Sequence, residues 1–272
     1  MKHFRMFDRM SWWREASALI VAAASLALIA SCGGSSSYSP DVATPAVVAA
    51  DASPGGIWNG TDSGTGLAVT GLVDEAGEFH FIQSDGVQYV GTATTNADSL
   101  TATFDGYTQF GSVFADGSTH GTGTLTGALQ ARVSLTGATV FTTDKGAVTK
   151  GTIPLTFNPL YNVASSLATI SGNYTNSGDV ISVTSGGVVS WQDAASGCVG
   201  NGTISIINAL YNAYRVAFTY SNCLSSSAVL NGVQFSGLAT LDNSVTPVQA
   251  LIGVTGEAGG VNYAVVLTLI GS

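Results

Sequence analysis

The feature that most limits the fold of this chain is the spacing of its turn signals. From Ile57 onward, short apolar runs of strand length are separated by Gly, Asn or Asp at intervals of about 8–12 residues. Such intervals leave no room for the crossover helices that a parallel sheet requires. Only 9% of the residues are charged, whereas exposed helix faces usually carry many charged side chains. The sequence therefore predicts an all-β fold, either an antiparallel barrel or a sandwich.

Single runs within this pattern alternate as half-buried strands do. In EFHFIQ, Phe79 and Phe81 fall on one face of the predicted strand and His80 falls on the other. Most aromatic side chains at this spacing are expected in the core. Those of YTQFGSVF (107–114) and YNAY (211–214) are also candidates for a barrel mouth or a contact patch.

The part of the chain from Gly56 onward also contains an approximate internal repeat. GIWNGT, which begins at Gly56, is similar to GNYTNS, which begins at Gly172. Further along, GEFHF (77–81) and GVVSW (187–191) each begin with glycine and end on an aromatic residue. The spacings differ by several residues, so two tandem similar domains and one continuous β domain are both compatible with the sequence. A duplication would place its break within FNPLYNVASSLATIS.

The N-terminal stretch has the charge pattern of an export signal. Four of the eight basic residues precede ASALIVAAASLALIA (16–30), a run without charge. This run is shorter than the ~20 apolar residues that a membrane-spanning helix needs, and it matches the core of a signal peptide. It ends on Ile29, Ala30, Ser31 and Cys32: one aliphatic residue, two small residues and a cysteine. This ending resembles the lipobox of bacterial lipoproteins.

The resemblance implies both a cellular location and a lipid anchor. In bacterial lipoproteins a diacylglyceryl group is attached to the cysteine sulfur, here that of Cys32. Signal peptidase II then cuts before the cysteine, and Ile29, Ala30 and Ser31 would be the residues that it recognises. Two or three acyl chains, palmitate among them, hold a protein stably at a bilayer. The glycine that follows the cysteine implies the outer membrane, on either its periplasmic or its surface side.

The expected organisation follows from this processing. The segment after Cys32 is rich in Gly, Ser, Ala and Pro, which is typical of a flexible tether. The predicted parts are a signal peptide over 1–31, a lipidated tether over 32–55, a first β domain over 56–158 and a second β domain over 159–272.

The cysteine count predicts one disulfide. The chain has three cysteines, and if Cys32 is acylated, Cys198 and Cys223 remain as a pair in the oxidising space beyond the inner membrane. They flank GTISIIN and YRVAFTY, two runs that predict a hairpin with its turn around 209–212. We expect a disulfide across the open end of that hairpin. A metal site and two free thiols are the alternatives.

The charge of the mature chain limits its partners. After Cys32 the basic residues are Arg132, Lys145, Lys150 and Arg215, in a chain of net charge −9. A body without a basic stripe cannot neutralise phosphates, so nucleic acid is not an expected partner. Anionic headgroups would repel it as well. Contact with the membrane is therefore expected through the lipid anchor.

The histidines do not predict a metal site. His80 and His120 could share a metal with Glu78 or Asp116 if the fold brought them together. However, the sequence has no His-x-x-x-His or Cys-x-x-Cys spacing to support this. The simpler interpretation is two separate surface imidazoles, so no metal and no cofactor are predicted.

The sequence does not predict a catalytic set either. Gly-x-Ser-x-Gly is absent, and most acids sit beside Gly or Asn, where turn formation explains them. The Asn-Gly pairs at Asn59 and Asn201 are interpreted as hairpin turns. We therefore expect a non-enzymatic, lipid-anchored envelope protein that binds a protein partner or a small apolar ligand. A structural or assembly factor of an outer-membrane complex is the alternative, and an envelope hydrolase is a weaker one.

Overall fold

A computed structural model describes residues 52–272. Sixteen antiparallel strands close into two consecutive eight-stranded barrels. The prediction of an all-β, antiparallel fold is confirmed, with barrels in place of a sandwich and with two domains. The predicted signal peptide, Cys32, and the recognition residues Ile29, Ala30 and Ser31 lie outside the described residues.

In the first barrel each strand pairs with the next, and the first strand also pairs with the eighth. Closure leaves no unpaired sheet edge. The strands are β1 (Gly56–Thr61), β2 (Ala68–Val73), β3 (Glu78–Gln83), β4 (Gln88–Asn96), β5 (Ser99–Tyr107), β6 (His120–Gln130), β7 (Ser134–Thr143) and β8 (Val148–Asn158).

The second barrel has the same order of pairing and closes between its last and first strands. Its strands are β9 (Gly172–Asn176), β10 (Asp179–Val183), β11 (Val188–Gln192), β12 (Val199–Ile206), β13 (Tyr214–Ser221), β14 (Gln234–Asp242), β15 (Gln249–Ala258) and β16 (Val261–Gly271). A 3₁₀ helix (Pro159–Asn162) and the short helix α1 (Leu167–Ile170) connect the barrels, and a second 3₁₀ helix (Ser225–Leu230) precedes β14. Within 52–272, no helix is long and apolar enough to cross a membrane.

Each barrel encloses its own core of inward-facing side chains. Trp58 on β1 and Phe81 on β3 are buried in the first core, and Tyr174 on β9 and Trp191 on β11 are buried in the second. The segments matched in the internal repeat thus lie on strands of the same rank, first with first and third with third. The common ancestry of the two barrels stays a prediction.

The Asn-Gly pairs do not form turns, contrary to the prediction. Asn59 and Gly60 lie within β1, and Asn201 and Gly202 lie within β12. A Cβ atom added at Gly202 would lie 2.1 Å from the carbonyl oxygen of Ala217 on the paired strand. Glycine is present because the backbones approach closely there, and a turn is not involved.

The predicted disulfide between Cys198 and Cys223 is confirmed. The two cysteines stand at the open end of the hairpin formed by β12 and β13, where Val199 pairs with Ser221. Both are buried against the second core. The connection at the other end of this hairpin lies between Ile206 and Tyr214, as expected.

The last residues of the predicted tether contact the first barrel. The amide of Ala52 donates to the carbonyl oxygen of Ala97 over 3.0 Å, and the indole Nε1 of Trp58 donates to the carbonyl oxygen of Pro54 over 3.1 Å. Pro54 and Gly55 are buried. Residues 52–55 are therefore fixed to the first barrel.

The two barrels lie within one compact unit and share an apolar joint. The first barrel contributes outward-facing side chains of β1 to β3, and the second contributes side chains of β14 and β16. The buried side chains of this joint include Ile57, Leu72 and Ile82 from the first barrel and Leu238 and Val266 from the second. The burial of these side chains removes apolar surface from water and so stabilises the side-by-side arrangement of the barrels.

Candidate interaction surface

His80 belongs to the joint between the barrels. The residue is only 2% exposed, so the prediction of a surface imidazole is wrong. The side-chain amide of Gln88 donates to the carbonyl oxygens of Val254 and Val265 over 3.2 and 2.8 Å. The remaining oxygen of Gln88 then accepts from Nδ1 of His80 at 3.1 Å. Burial lowers the pKa of His80, which favours a neutral ring that bonds to Gln88, and Gln88 in turn bonds to the second barrel.

His120 lies elsewhere, at the start of β6. Its Nε2 is 3.0 Å from a carboxylate oxygen of Asp105, and its Nδ1 is 3.0 Å from one of Asp144. The two ring nitrogens point in opposite directions, so the two carboxylates do not converge on one point. His80 and His120 therefore lie in separate surroundings, each with its own hydrogen-bond partners. Residues 52–272 hold no group of three His, Cys, Asp or Glu side chains that could bind a metal ion.

The aromatic candidates contact other parts of this molecule. Phe110 packs edge-on against Tyr263 of the second barrel at 5.2 Å between ring centroids, and the amide of Phe110 donates to the carbonyl oxygen of Ala264. Tyr211 stacks on Tyr161 at 5.0 Å. The predicted contact patches are thus internal contacts that tie the barrels and their linker together.

The interior of the first barrel leaves little space. A cavity of about 20 Å³ lies among Asp62, Gln83, Tyr89 and Phe104. A volume of this size is close to what one water molecule requires. Gln83 donates to Asp62 over 2.9 Å at its wall. An apolar ligand would need large rearrangements of these side chains to enter.

The most regular exposed surface is the outer side of β4 to β8, which we call the threonine face. Its side chains alternate with buried core residues such as Ala93, Ala102 and Leu125, which is why they point to solvent. The exposed threonines on it are Thr92, Thr94, Thr101, Thr103, Thr122, Thr124, Thr126, Thr136, Thr152 and Thr156.

The strand register aligns these threonines in rows. In one row, Thr92, Thr103 and Thr124 are direct partners on β4, β5 and β6. In the next row the partners are Thr94, Thr101 and Thr126, and that row continues through Ala138 to Thr152 on β8.

One pair of neighbouring hydroxyls in these rows lies within hydrogen-bonding distance. The Oγ1 atoms of Thr94 and Thr101 are 3.0 Å apart, within hydrogen-bonding distance. Each threonine hydroxyl can both donate and accept, and its β-branched side chain is stiff at χ1. The face is therefore an ordered array of hydroxyl and methyl groups.

The threonine face carries little charge. In the first of these rows, Val140 and Lys150 follow Thr124, and Lys150 is the one charged residue in the two rows. Asp105 lies in an adjacent row, but its carboxylate is already within hydrogen-bonding distance of His120. The surface offers hydrogen bonds and methyl contacts, but few ion pairs.

The second barrel lacks these rows of threonine, although its strands also expose their outward positions to solvent. Outward positions on β11 to β13 include Val188, Asn201, Thr203, Arg215 and Ala217, which are chemically mixed. Strand propensity alone favours threonine equally in both barrels. The rows of threonine are thus a particular property of the first barrel.

The chain matches no protein-family model, no curated protein and no solved structure. The threonine face was missed by sequence reasoning, although its signal was present. TAT (92–94), TAT (101–103) and TGTLT (122–126) each repeat threonine with a period of two. Only the strand register shows that these short motifs face one another.

Proposed function

We propose that this protein is a lipid-anchored component of the bacterial outer membrane that acts by binding and not by catalysis. Two sequence features support the location. The residues Ile29 to Cys32 resemble a lipobox, and the disulfide between Cys198 and Cys223 suits an oxidising compartment. The observation that carries the binding role is the exposed, weakly charged threonine face of the first barrel.

The geometry favours binding through this surface over binding within a barrel. The side chains around the cavity of about 20 Å³ fill the first barrel. The aromatic groups that could have formed a contact patch are used between the barrels. In contrast, the rows of threonine are exposed and ordered. A protein partner or a polymer could approach them without a change in the fold.

Two experiments test the proposal in intact cells. Cys32→Ser should prevent acylation and release the protein from the membrane fraction, whereas native-like processing and membrane retention of this variant would contradict the anchor. A photo-crosslinking residue placed at Thr124 should capture an envelope component, and the same residue at Thr203 on the second barrel serves as the matched control. Equal capture at both positions would contradict a role for the threonine face.

A further inference from the structure

We infer that the threonine face binds a neutral polysaccharide. This inference rests on the proposed function, because it names the ligand class for the same surface. It follows from the charge, the hydrogen-bonding chemistry and the shape of the face.

Charge argues against ionic ligands. Among the described residues the cations are Arg132, Lys145, Lys150 and Arg215. Both arginines are paired with glutamates, at 3.0 Å for Arg132 and 2.6 Å for Arg215, and the ammonium of Lys145 donates to a backbone carbonyl. Lys150 alone cannot balance a polyanion, which the net charge of −9 would repel. A polycation would find one acidic group beside the two rows, Glu78 next to Thr92, and Arg215 already pairs with it.

Hydrogen-bonding chemistry argues against a purely apolar partner. An apolar partner that covered the rows would offer the threonine hydroxyls no donor or acceptor. Burying each hydroxyl in this way would cost about 1–3 kcal/mol. A ligand rich in hydroxyls can donate to and accept from every threonine. The methyl groups can contact the C–H faces of sugar rings. Because each threonine has one stiff χ1 torsion, little conformational entropy is lost on binding.

Shape argues for a polymer. Neighbouring strands lie about 4.8 Å apart, so the aligned threonines of β4, β5 and β6 extend for about 10 Å over the convex wall of the barrel. The rows from β4 to β8 form an open surface without a socket for a single sugar. Many weak contacts along one chain can add up to useful affinity because the later contacts form at high effective concentration. The face therefore suits an extended sugar chain.

The test uses the full-length protein extracted from membranes in detergent. Dextran, xylan and cellulose are the neutral probes, and dextran sulfate is the charged probe, with binding measured by affinity electrophoresis or by partition to the insoluble polymer. The triple substitution Thr101→Val, Thr103→Val and Thr124→Val removes three hydroxyls with little change in shape. Thr203→Val on the second barrel is the matched control.

We expect the native protein and the Thr203→Val control to bind at least one neutral polysaccharide and not dextran sulfate. The triple variant should bind at least about tenfold more weakly, since three hydrogen bonds of about 0.5–1.5 kcal/mol each are lost, while its thermal unfolding shows that it is folded. Failure to bind any of the three neutral polymers overturns the inference, as does equal binding by the triple variant. Self-association of the native protein that the triple variant loses would identify a second copy as the occupant and also overturn it.

The crosslinking experiment separates this inference from the proposed function. Capture of a protein alone at Thr124 in cells would leave the outer-membrane binding role intact and overturn the polysaccharide. Loss of membrane attachment has no bearing on binding in detergent, so the two proposals can fail independently.

Discussion

His80 should make the folded protein sensitive to mild acid. The residue is 2% exposed and lies in the joint between the barrels, and its Nδ1 donates to Gln88. Burial lowers its pKa below the ordinary 6.5, the bond to Gln88 and the charge of Glu78 act in the opposite direction, and Arg215 lowers it further. The folded state therefore keeps a neutral ring at a pH at which the unfolded chain binds a proton.

The size and sign of the effect follow from proton linkage. Because the folded-state pKa is depressed, the contribution of His80 to stability is fully present above the unfolded pKa of 6.5 and is lost as the pH falls. Each pH unit between the two pKa values removes about 1.4 kcal/mol from the free energy of unfolding. Stability is therefore lost progressively as the pH falls below 6.5, until the pH reaches the lowered pKa of the folded state.

Urea unfolding at a series of pH values measures this loss. His80→Asn is the matched variant, because an asparagine amide can replace the Nδ1–H donor but does not titrate in this range. The difference between the two proteins cancels the contributions of His120 and the carboxylates, which both share. Below pH 6.5 the native protein should lose stability more steeply than the variant, by up to about 1.4 kcal/mol per pH unit. Parallel curves for the two proteins would refute the assignment of His80 as a buried, neutral group.

The disulfide and one strand glycine give further tests. Replacing Cys198 and Cys223 together by alanine should lower the free energy of unfolding by about 3.5 kcal/mol, the chain-entropy value for a sequence separation of 25 residues; an unchanged urea midpoint would contradict it. Gly202→Ala should cost about 1–3 kcal/mol because its Cβ would lie 2.1 Å from a backbone carbonyl oxygen. Gly186→Ala, with its nearest atom at 3.8 Å, should change the thermal midpoint little, and similar losses in both glycine variants would argue against the close approach.

Much of the fold could be predicted because its causes are local. The alternation in EFHFIQ placed Phe79 and Phe81 on one face, and both rings lie in the first core. The runs on either side of 209–212 predicted the hairpin of β12 and β13, and with it the bond between Cys198 and Cys223. A period of two and a turn signal depend on a few neighbouring residues, so they can be recognised without the rest of the chain.

The positions of the candidate site residues could not be predicted in the same way. His80 alternates correctly to the outer face of β3, but that face is covered by the second barrel. Asn201 and Gly202 have the sequence of a turn, yet the ladder with β13 continues through them. In each case a distant segment decides whether the position is exposed, paired or buried.

The sequence by itself determined that this chain forms antiparallel strands and that Cys198 and Cys223 can pair. Only the tertiary structure decided that the strands close into two successive barrels, that His80 is buried between the barrels, and that threonines from separate strands align in rows. The physical reason is that strand formation depends on alternation and turns over a few residues. Burial and row formation depend on which strands become neighbours and in which register they pair.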